Sequence, residues 1–267
     1  MKPGLKMIVL VKQVPEIEKV RFDYEKGRLD RSSAGAVINP FDLNALEAAV
    51  QIKEKTGGEI TVLSMGPPQA KEALKDALAR GADNAVLLTD VKFAGADTLA
   101  TSYTLSCAVR KLEPFDLILC GEKTIDGDTA QVGPEVAEFL GIPHVAYVEK
   151  ILDVNENCVV TRSRMERCYY DIEMRFPSLI TVTKDANTPR LPTLRDKIKA
   201  RKAEITIWSA DDLSDIAHEA IFGASNSPTR VAKVYAPLSS KRKAVFIKGT
   251  TEEKARQIAS ILAELVL

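Results

Sequence analysis

Residues 116–141, DLILCGEKTIDGDTAQVGPEVAEFLG, contain the signals of a strand, a glycine-rich loop and a helix in direct succession. The first five residues are almost continuously apolar, as expected for a strand that is buried on both faces. The loop at 121–134 carries three glycines, and the following helix is predicted from about Thr129 until Gly141 ends it. A strand that leads through such a loop into a helix is typical of parallel α/β folds.

The same alternation of strand and helix extends over the first 145 residues. Apolar runs predict three further strands, at 7–11, 59–65 and 85–89. Helical spacing predicts the intervening helices at 42–55, 67–81 and 97–111, with an aspartate as N-cap of the first and the last. We therefore predict an α/β fold with a Rossmann-like, mostly parallel sheet. In the strand order 3-2-1-4, the ends of the first and fourth strands would flank a crevice.

The rhythm changes after about residue 145. Strands are predicted at 145–152, 157–164 and 169–183, and the turns between them favour an antiparallel extension of the sheet. A polar, basic segment with several prolines follows at 186–203, and we expect it to be a loop.

The last part of the chain has a different character. The segment 223–243 is rich in glycine, proline and basic residues and is expected to be extended, whereas 252–265 has the spacing of an amphipathic helix. We therefore predict two domains, an α/β domain at 1–205 and a C-terminal arm with its helix at 206–267.

Composition argues against several classes of function. The 267 residues include 37 basic and 37 acidic side chains, so the formal net charge is zero, which argues against nucleic-acid binding. The four cysteines have no CxxC spacing, and His144 and His218 lie in no metal-ligand pattern. No signal peptide or bilayer-spanning stretch is apparent, so we expect a cytoplasmic protein. Any redox chemistry would need an organic cofactor.

The loop at 121–134 is the strongest candidate for a binding site. Its glycines allow a ligand to approach the backbone, and the start of the following helix offers amide groups to a phosphate. Lys12, at the end of the first strand, would face this loop across the crevice. An ordinary strand-to-helix turn with Asp128 as N-cap explains the same residues. The two aspartates of the loop also count against free anion binding.

Two further segments follow predicted strands at the same edge. Pro40 favours an extended conformation of Asn39, whose amide could then meet the edge of a base. A turn and helix cap would use the same residues, and residues 65–67 are explained equally well as an ordinary helix entry. Three loops at one edge favour a nucleotide site, because each strand end contributes one wall.

Several of these stretches also occur together in a known family. They are VKQVPE at 11–16, NPFDLNALEAA at 39–49, GP at 66–67, LARGAD at 78–83, IDGDTAQVGPEVAEFLGIPH at 125–144 and FPSLITVTKDANTPRLPTL at 176–194. Over roughly residues 5–205, the chain resembles the electron transfer flavoprotein beta subunit family. The resemblance implies an adenine nucleotide alpha hydrolase-like domain and a C-terminal arm that packs on an alpha subunit.

The resemblance implies a cofactor and partners as well. Ordinary members hold AMP, and electron-bifurcating members and nitrogen-fixation flavoproteins hold a second FAD. DGDTAQVGP together with NPFD resembles the bifurcating group, which implies FAD here, with AMP as the alternative. NADH would be the donor, and the FAD of the alpha subunit and ferredoxin or flavodoxin the acceptors. The chain would act as an electron-transfer subunit of an oxidoreductase complex, with a dehydrogenase or quinone oxidoreductase as a further partner, in the cytoplasm or attached peripherally to a membrane.

By position, the resemblance implies a nucleotide site formed by strand ends and loops. Its residues are Leu10, Lys12, Asn39, Pro40, Phe41, Asp42, Met65, Gly121, Glu122, Lys123, Thr124, Ile125, Asp126, Gly127, Asp128, Thr129, Ala130, Gln131 and Val132. Leu194 matches the anchor of the family's partner-recognition loop, here 190–199. No metal ligand and no catalytic side chain are expected. Gly127→Val is expected to weaken cofactor retention, because a branched side chain would crowd the loop and resist an unusual φ.

One segment departs from the family's pattern. In MERCYYDIEMRFP at 165–177, Cys168 replaces a glycine and Tyr170 replaces an acid or amide. The resemblance therefore does not predict whether this hairpin contacts an alpha subunit or a dehydrogenase, whereas the nucleotide loops are unaffected. A regulatory nucleotide-binding protein of the universal stress type is the remaining alternative. The segment 186–203 and the long tail disfavour it, since a lone regulatory domain needs neither.

Overall fold

The computed structural model describes residues 4–16, 21–23, 28–30, 36–217, 221–230, 232 and 246–266. They belong to two compact units, within Met1–Ala232 and Lys233–Leu267. The predicted division of the chain between residues 205 and 206 stays a prediction. His218 and most of the predicted arm at 223–243 lie outside the described residues.

The first unit contains thirteen described strands and five described helices, and the second contains one described helix. The strands are β1 (Leu5–Leu10), β2 (Gln13–Pro15), β3 (Arg21–Asp23), β4 (Arg28–Asp30), β5 (Ala36–Ile38), β6 (Gly58–Met65), β7 (Asn84–Leu88), β8 (Leu117–Gly121), β9 (His144–Val154), β10 (Cys158–Arg164), β11 (Tyr169–Arg175), β12 (Ser178–Val182) and β13 (Thr206–Trp208). The helices are α1 (Pro40–Thr56), α2 (Lys71–Ala79), α3 (Thr98–Lys111), α4 (Val132–Leu140), α5 (Leu194–Lys202) and α6 (Thr251–Val266).

Nine strands form one sheet in the order β11-β10-β9-β12-β8-β1-β6-β7-β13. From β9 to β13 all neighbours are parallel, which confirms the α/β fold with a mostly parallel sheet. The predicted order 3-2-1-4 is also confirmed by the run β7-β6-β1-β8. The strand order therefore reverses between β1 and β8, where the chain has added strands to opposite sides of β1.

Helices cover both faces of the sheet because successive side chains of a strand point to opposite sides. In β1, Met7 and Val9 pack into one core with Leu46 of α1. Ile8 and Leu10 pack into the other core with residues of α3 and α4. This two-sided burial explains the continuous apolar run that predicted the strand.

The antiparallel extension is smaller than predicted. The segment predicted as one strand at 169–183 forms two, of which only β11 is antiparallel to its neighbour β10. β12 lies inside the parallel part of the sheet, between β9 and β8. All five residues of β12 are buried, as expected for a central strand covered on both faces.

The predicted N-cap of the third helix is confirmed, whereas that of the first is wrong. Asp97 accepts a hydrogen bond from the backbone N–H of Ala100 at 3.1 Å and caps α3. Asn39, not Asp42, occupies the N-cap position of α1. Pro40 is the first residue of this helix, where its missing N–H leaves no bond unmade.

The start of α4 was also predicted too early. The helix begins at Val132 rather than about Thr129, and Gln131, not Asp128, is its N-cap residue. Asp128 and Ala130 have φ angles of 53° and 56°, which a right-handed helix does not allow. The helix therefore begins about three residues later than predicted.

The segment 186–203 is not entirely a loop, because its second half forms α5. Thr193 caps this helix by accepting a hydrogen bond from the backbone N–H of Asp196 at 3.2 Å. Pro189 and Pro192 both precede the helix, so they do not interrupt its hydrogen bonds. The C-terminal helix α6 agrees with the prediction to within one residue at each end.

Among the described residues, no helix combines the length and apolar character required to cross a membrane. The same residues contain no cluster of histidine, cysteine and acidic side chains that could hold a metal ion.

Candidate functional site

A cavity of about 1260 Å³ lies at the carboxyl ends of four parallel strands, β1, β6, β7 and β8. Leu10, Met65, Thr89 and Gly121, at or just beyond these strand ends, all line it. The cavity includes the point between β1 and β8 where the strand order reverses, which is the usual ligand position in an open α/β sheet. Its volume exceeds the roughly 300–1,000 Å³ of typical ligand pockets.

Asp42 joins the two strands at this point of reversal. Its carboxylate accepts hydrogen bonds from the backbone N–H of Lys12 at 2.8 Å and of Gly121 at 3.0 Å. Because β1 and β8 pair directly only as far as Val9 and Leu119, the carboxylate supplies acceptors where the strands separate. Burial raises the pKa of Asp42 to about 7, although both hydrogen bonds act in the opposite direction.

Asn39 holds the glycine-rich loop against the start of α1. Its buried side chain donates to the carbonyl of Lys123 at 2.9 Å and accepts from the N–H of Ile125 at 3.3 Å. The extended conformation imposed by Pro40 is present, with φ −50° and ψ 127° at Asn39. The prediction that this amide meets a base edge is wrong, because both of its polar atoms bond to the loop.

The two aspartates of the loop are both paired with lysines. Asp126 lies 2.8 Å from Nζ of Lys12, and Asp128 lies 2.8 Å from Nζ of Lys123. Burial is the largest single influence and raises the pKa of Asp126, but hydrogen bonds from Lys12 and Thr124 and the charge of Lys12 together hold this pKa below its ordinary value. Lys12 faces the loop as predicted, and the negative charges that counted against phosphate binding are balanced.

The backbone between the loop and α4 is strained. Asp128 and Ala130 both adopt left-handed conformations that are uncommon for residues other than glycine, and such strain is concentrated at functional sites. The turn brings residues 129–133 to the cavity wall. The first amides of α4 are therefore at the wall, and a helix offers no acceptor of its own to these groups.

The glycines of the loop have different roles. At Gly121 an added Cβ would lie 2.5 Å from Asp42 Oδ1 and 2.6 Å from Phe41 Cβ, so no side chain fits. At Gly127 an added Cβ would meet only Thr124 Oγ1, at 3.6 Å, and φ lies outside the left-handed region. The unusual φ expected at Gly127 is therefore wrong, and a Cβ at this position has room, whereas the effect of a larger branched side chain stays a prediction.

One wall of the cavity was not predicted. It consists of residues 89–91 and 93–99, which follow β7, and of Pro228 and Thr229. Asp97 connects the two parts, since its carboxylate accepts hydrogen bonds from the N–H and hydroxyl of Thr229 at 3.0 and 2.8 Å. The rule that strand ends form the site applies to β7 as well and would have found residues 89–99. Pro228 and Thr229 carry no local signal.

Most of the predicted nucleotide-binding residues line the cavity. They are Leu10, Lys12, Asp42, Met65, Gly121, Glu122, Lys123, Thr124, Gly127, Thr129, Ala130, Gln131 and Val132. The others, which do not line it, are Asn39, Pro40, Phe41, Ile125, Asp126 and Asp128. Several of the second group support the first, as Asn39 and Asp126 do through their bonds to the loop and to Lys12.

Comparisons with known proteins agree with this geometry. Residues 26–213 match the model of the electron transfer flavoprotein domain. The electron transfer flavoprotein subunit beta of Clostridium acetobutylicum is 44% identical over 260 residues, which cover 97% of this chain and 98% of that protein. The chain belongs to the electron transfer flavoprotein beta subunit family. The protein FixA of Bradyrhizobium diazoefficiens is 42% identical over 267 residues, covering 97% of this chain and 90% of that protein. CarD, a subunit of the caffeyl-CoA reductase–Etf complex of Acetobacterium woodii, is 42% identical over 262 residues, which cover 97% of this chain and 98% of that protein.

In this electron transfer flavoprotein subunit, Leu194 lies away from the cavity at the first position of α5. Leu194 is 76% exposed, and Leu191 is 85% exposed. Exposure of two leucines near the start of a basic helix is compatible with a partner contact. The role of Leu194 as an anchor stays a prediction.

The hairpin that departs from the family's pattern also lies outside the cavity wall. β10 and β11 pair along their whole length, and Cys168 is exposed at the turn between them. Tyr169 and Tyr170 are each more than half exposed. The departure at this hairpin therefore leaves the residues of the cavity unchanged.

Proposed function

We propose that this chain binds FAD in the cavity and takes part, with an alpha subunit, in flavin-based electron bifurcation. NADH is the proposed donor, and the FAD of the alpha subunit and ferredoxin or flavodoxin are the proposed acceptors. The observation that carries the proposal is the cavity of about 1260 Å³ at the reversal of strand order. A dinucleotide suits that volume, whereas AMP would leave much of it to solvent.

The polar part of the cavity wall suits a pyrophosphate and a ribose. The start of α4 would direct backbone amides toward a bound phosphate, and Lys12 and Lys123, each paired with an aspartate of the loop, line the same wall. Thr124 and Thr129 offer hydroxyl groups on the same wall. Gly121 permits the close contact that places this loop against α1.

The apolar part of the wall suits a planar ring system. Leu10, Phe93 and Leu105 line the cavity and are otherwise buried in the core. Met65 adds a flexible, polarisable side chain at the end of β6. These residues would bind an aromatic ring through apolar contact and would exclude water from one side of it.

In this proposal the residues of the chain bind and orient the cofactor, and the cofactor itself supplies the redox chemistry. A bound flavin supplies the ability to accept two electrons together and to release them one at a time. Lys12 and Asp126 would keep the loop closed on the phosphates, and Asp42 would hold the ends of β1 and β8 at the required separation.

The relatives support a role within a redox complex. The Acetobacterium woodii protein is named as a subunit of the caffeyl-CoA reductase–Etf complex. By likeness, we infer an alpha subunit as the constant partner of this chain. A dehydrogenase or a quinone oxidoreductase is the further proposed partner, in the cytoplasm or at a membrane surface.

Flavin counting on the complex tests the proposal. The chain is co-expressed with its alpha subunit and purified without oxygen, and flavin and AMP are measured per heterodimer. Two FAD molecules, with bleaching of flavin absorbance by NADH, are the expected result. One FAD and one AMP would instead indicate a structural nucleotide and a non-bifurcating complex. Failure to bind an alpha subunit, with a nucleotide retained, would indicate a regulatory protein of the universal stress type.

A further inference from the structure

Arg190 forms a set of hydrogen bonds that fasten residues 187–193, which precede α5, to the side of α1. Nε and Nη2 of Arg190 donate hydrogen bonds to the two carboxylate oxygens of Glu47 at 2.8 and 3.0 Å. The backbone N–H of Arg190 donates to the same carboxylate at 3.1 Å. This is the two-pronged arrangement in which a guanidinium fixes orientation as well as distance.

The carboxylate on α1 has few alternatives to this bond. The side chain of Glu47 is only 6% exposed, whereas that of Arg190 is 37% exposed. Burial is the largest single influence and raises the pKa of Glu47, but hydrogen bonds from Arg190 and Gln51 and the charge of Arg190 together hold this pKa below its ordinary value, so that Glu47 stays charged. Nη1 and Nη2 of Arg190 also bind the exposed carboxylate of Glu54, at 2.5 and 3.0 Å, and an exposed pair of this kind contributes little.

Two further contacts fix the backbone of the segment. Nη1 of Arg80, on the turn after α2, donates to the carbonyl of Arg190 at 2.7 Å. Asn44 of α1 donates to the carbonyl of Asn187 at 2.8 Å, and Asn187 donates back to the carbonyl of Asn44 at 3.0 Å. The segment is therefore held at its start by Asn187 and in its middle by Arg190.

The segment positions an apolar surface that is not buried in this chain. Leu191, Leu194 and Ile198 are 85%, 76% and 49% exposed. Leu194 and Ile198 are four residues apart in α5 and therefore lie on the same face. The other residues of α5 are mainly lysine and arginine, so this surface fits a protein with an apolar pocket and an acidic rim.

We propose that Arg190 is a positioning residue for partner recognition, which fixes Leu191 and Leu194 for docking by locking the segment to Glu47 of α1. The proposal rests on the proposed function, because it assumes that the complex exchanges electrons with a partner protein. A fixed segment loses less conformational entropy on docking than a mobile one, so loss of the lock weakens docking. The cofactor cavity lies elsewhere, and its contents do not change.

Steady-state electron transfer from the complex tests the proposal. The acceptors are a purified flavoprotein dehydrogenase from the same organism and the dye dichlorophenolindophenol, which needs no docking surface. Arg190→Gln is expected to raise KM for the dehydrogenase about tenfold while kcat and the rate with the dye stay within about twofold. Arg190→Lys keeps the charge beside Glu47 but cannot form the two-pronged bond, and is expected to raise KM about threefold.

The matched control lies on the same helix. Lys53 of α1 pairs with Asp83 at 2.5 Å and bonds to the carbonyl of Gly81 rather than to residues 187–193, so Lys53→Gln is expected to leave KM unchanged. An unchanged KM in both Arg190→Lys and Arg190→Gln would overturn the proposal, as would equal losses with dehydrogenase and dye. A wild-type complex that holds flavin but transfers nothing to any dehydrogenase would overturn the proposed partner as well.

Discussion

Helix α1 fastens two segments of the chain in two different ways. At its N-terminal end, Asn39 and Asp42 hold the glycine-rich loop through buried hydrogen bonds to backbone groups. Along its middle, Glu47 and Glu54 hold residues 187–193 through ion pairs with Arg190. The first contact depends on the path of the backbone and tolerates no added volume. The second depends on charge and side-chain geometry.

This difference predicts where substitutions are damaging. Removing the hydrogen-bond partner of a buried group, or forcing an extra atom into a packed site, lowers stability by several kcal/mol. Removing an exposed ion pair lowers stability by about 1 kcal/mol or less. The glycine-rich loop should therefore be far more sensitive to small changes than the ion pairs around it.

The largest effect is expected at Gly121. Gly121→Ala would place Cβ within 2.6 Å of Phe41 and Asp42, so the loop or the start of α1 must move. We expect a loss of stability of about 3 kcal/mol. In thermal unfolding of the complex, this corresponds to a fall of several degrees in the midpoint, together with loss of bound nucleotide.

Gly127→Ala is the matched control in the same loop. Its Cβ would meet only Thr124 Oγ1, at an ordinary contact distance of 3.6 Å. The loss of stability should not exceed about 0.5 kcal/mol, so the thermal midpoint should hardly change, and the nucleotide should be retained. Equal losses in the two alanine variants would show that the close packing at Gly121 is not what holds the loop.

An intermediate, pH-dependent effect is expected at Asp42. Because its pKa is raised from 3.8 to about 7, the folded state binds a proton more tightly than the unfolded state between these values. The stability contributed by this group is therefore present at low pH and is lost as pH rises toward 7. Compared with Asp42→Asn, which cannot titrate, the wild type should lose about 2 kcal/mol between pH 5 and pH 7.

Thermal midpoints of both proteins across pH 5–8.5 measure this difference. Above about pH 7 the two curves should run in parallel. Curves that stay parallel from pH 5 upward would mean that Asp42 is ionised throughout and that the hydrogen bonds from Lys12 and Gly121 outweigh its burial.

The smallest effect is expected at Lys12. Its ion pair with Asp126 is partly exposed, with side-chain exposures of 46% and 24%, so Lys12→Gln should cost less than about 1 kcal/mol. We expect the thermal midpoint to change by a degree or two and nucleotide binding to weaken modestly, more at low salt than at high salt. A loss of stability as large as that of Gly121→Ala would show that the ion pair of Lys12 with Asp126 is the main support of the loop.

The local signals of the sequence were sufficient for the parallel core of the fold. Continuous apolar runs identified β1, β6, β7 and β8, because burial on both faces leaves a clear pattern. The position of β12 could not be predicted in this way. Its pairing with β8 and β9 depends on residues far away in sequence, and a short apolar strand has the same pattern in either orientation.

The candidate site shows the same limit. The glycine-rich loop and Lys12 were found because they follow strand ends. The supporting roles of Asn39 and Asp42 were not found, since their partners Lys123 and Gly121 lie about 80 residues away and are reached through backbone groups. The left-handed turn at Asp128 and Ala130 was also missed, because neither residue is a glycine.

The most direct test is an experimental density map of the complex purified with its own nucleotide. We predict a dinucleotide in the cavity, with its phosphates against the backbone of residues 131–133 and between the loop and Lys12. An empty cavity, or a nucleotide bound at another part of the chain, would contradict the central claim.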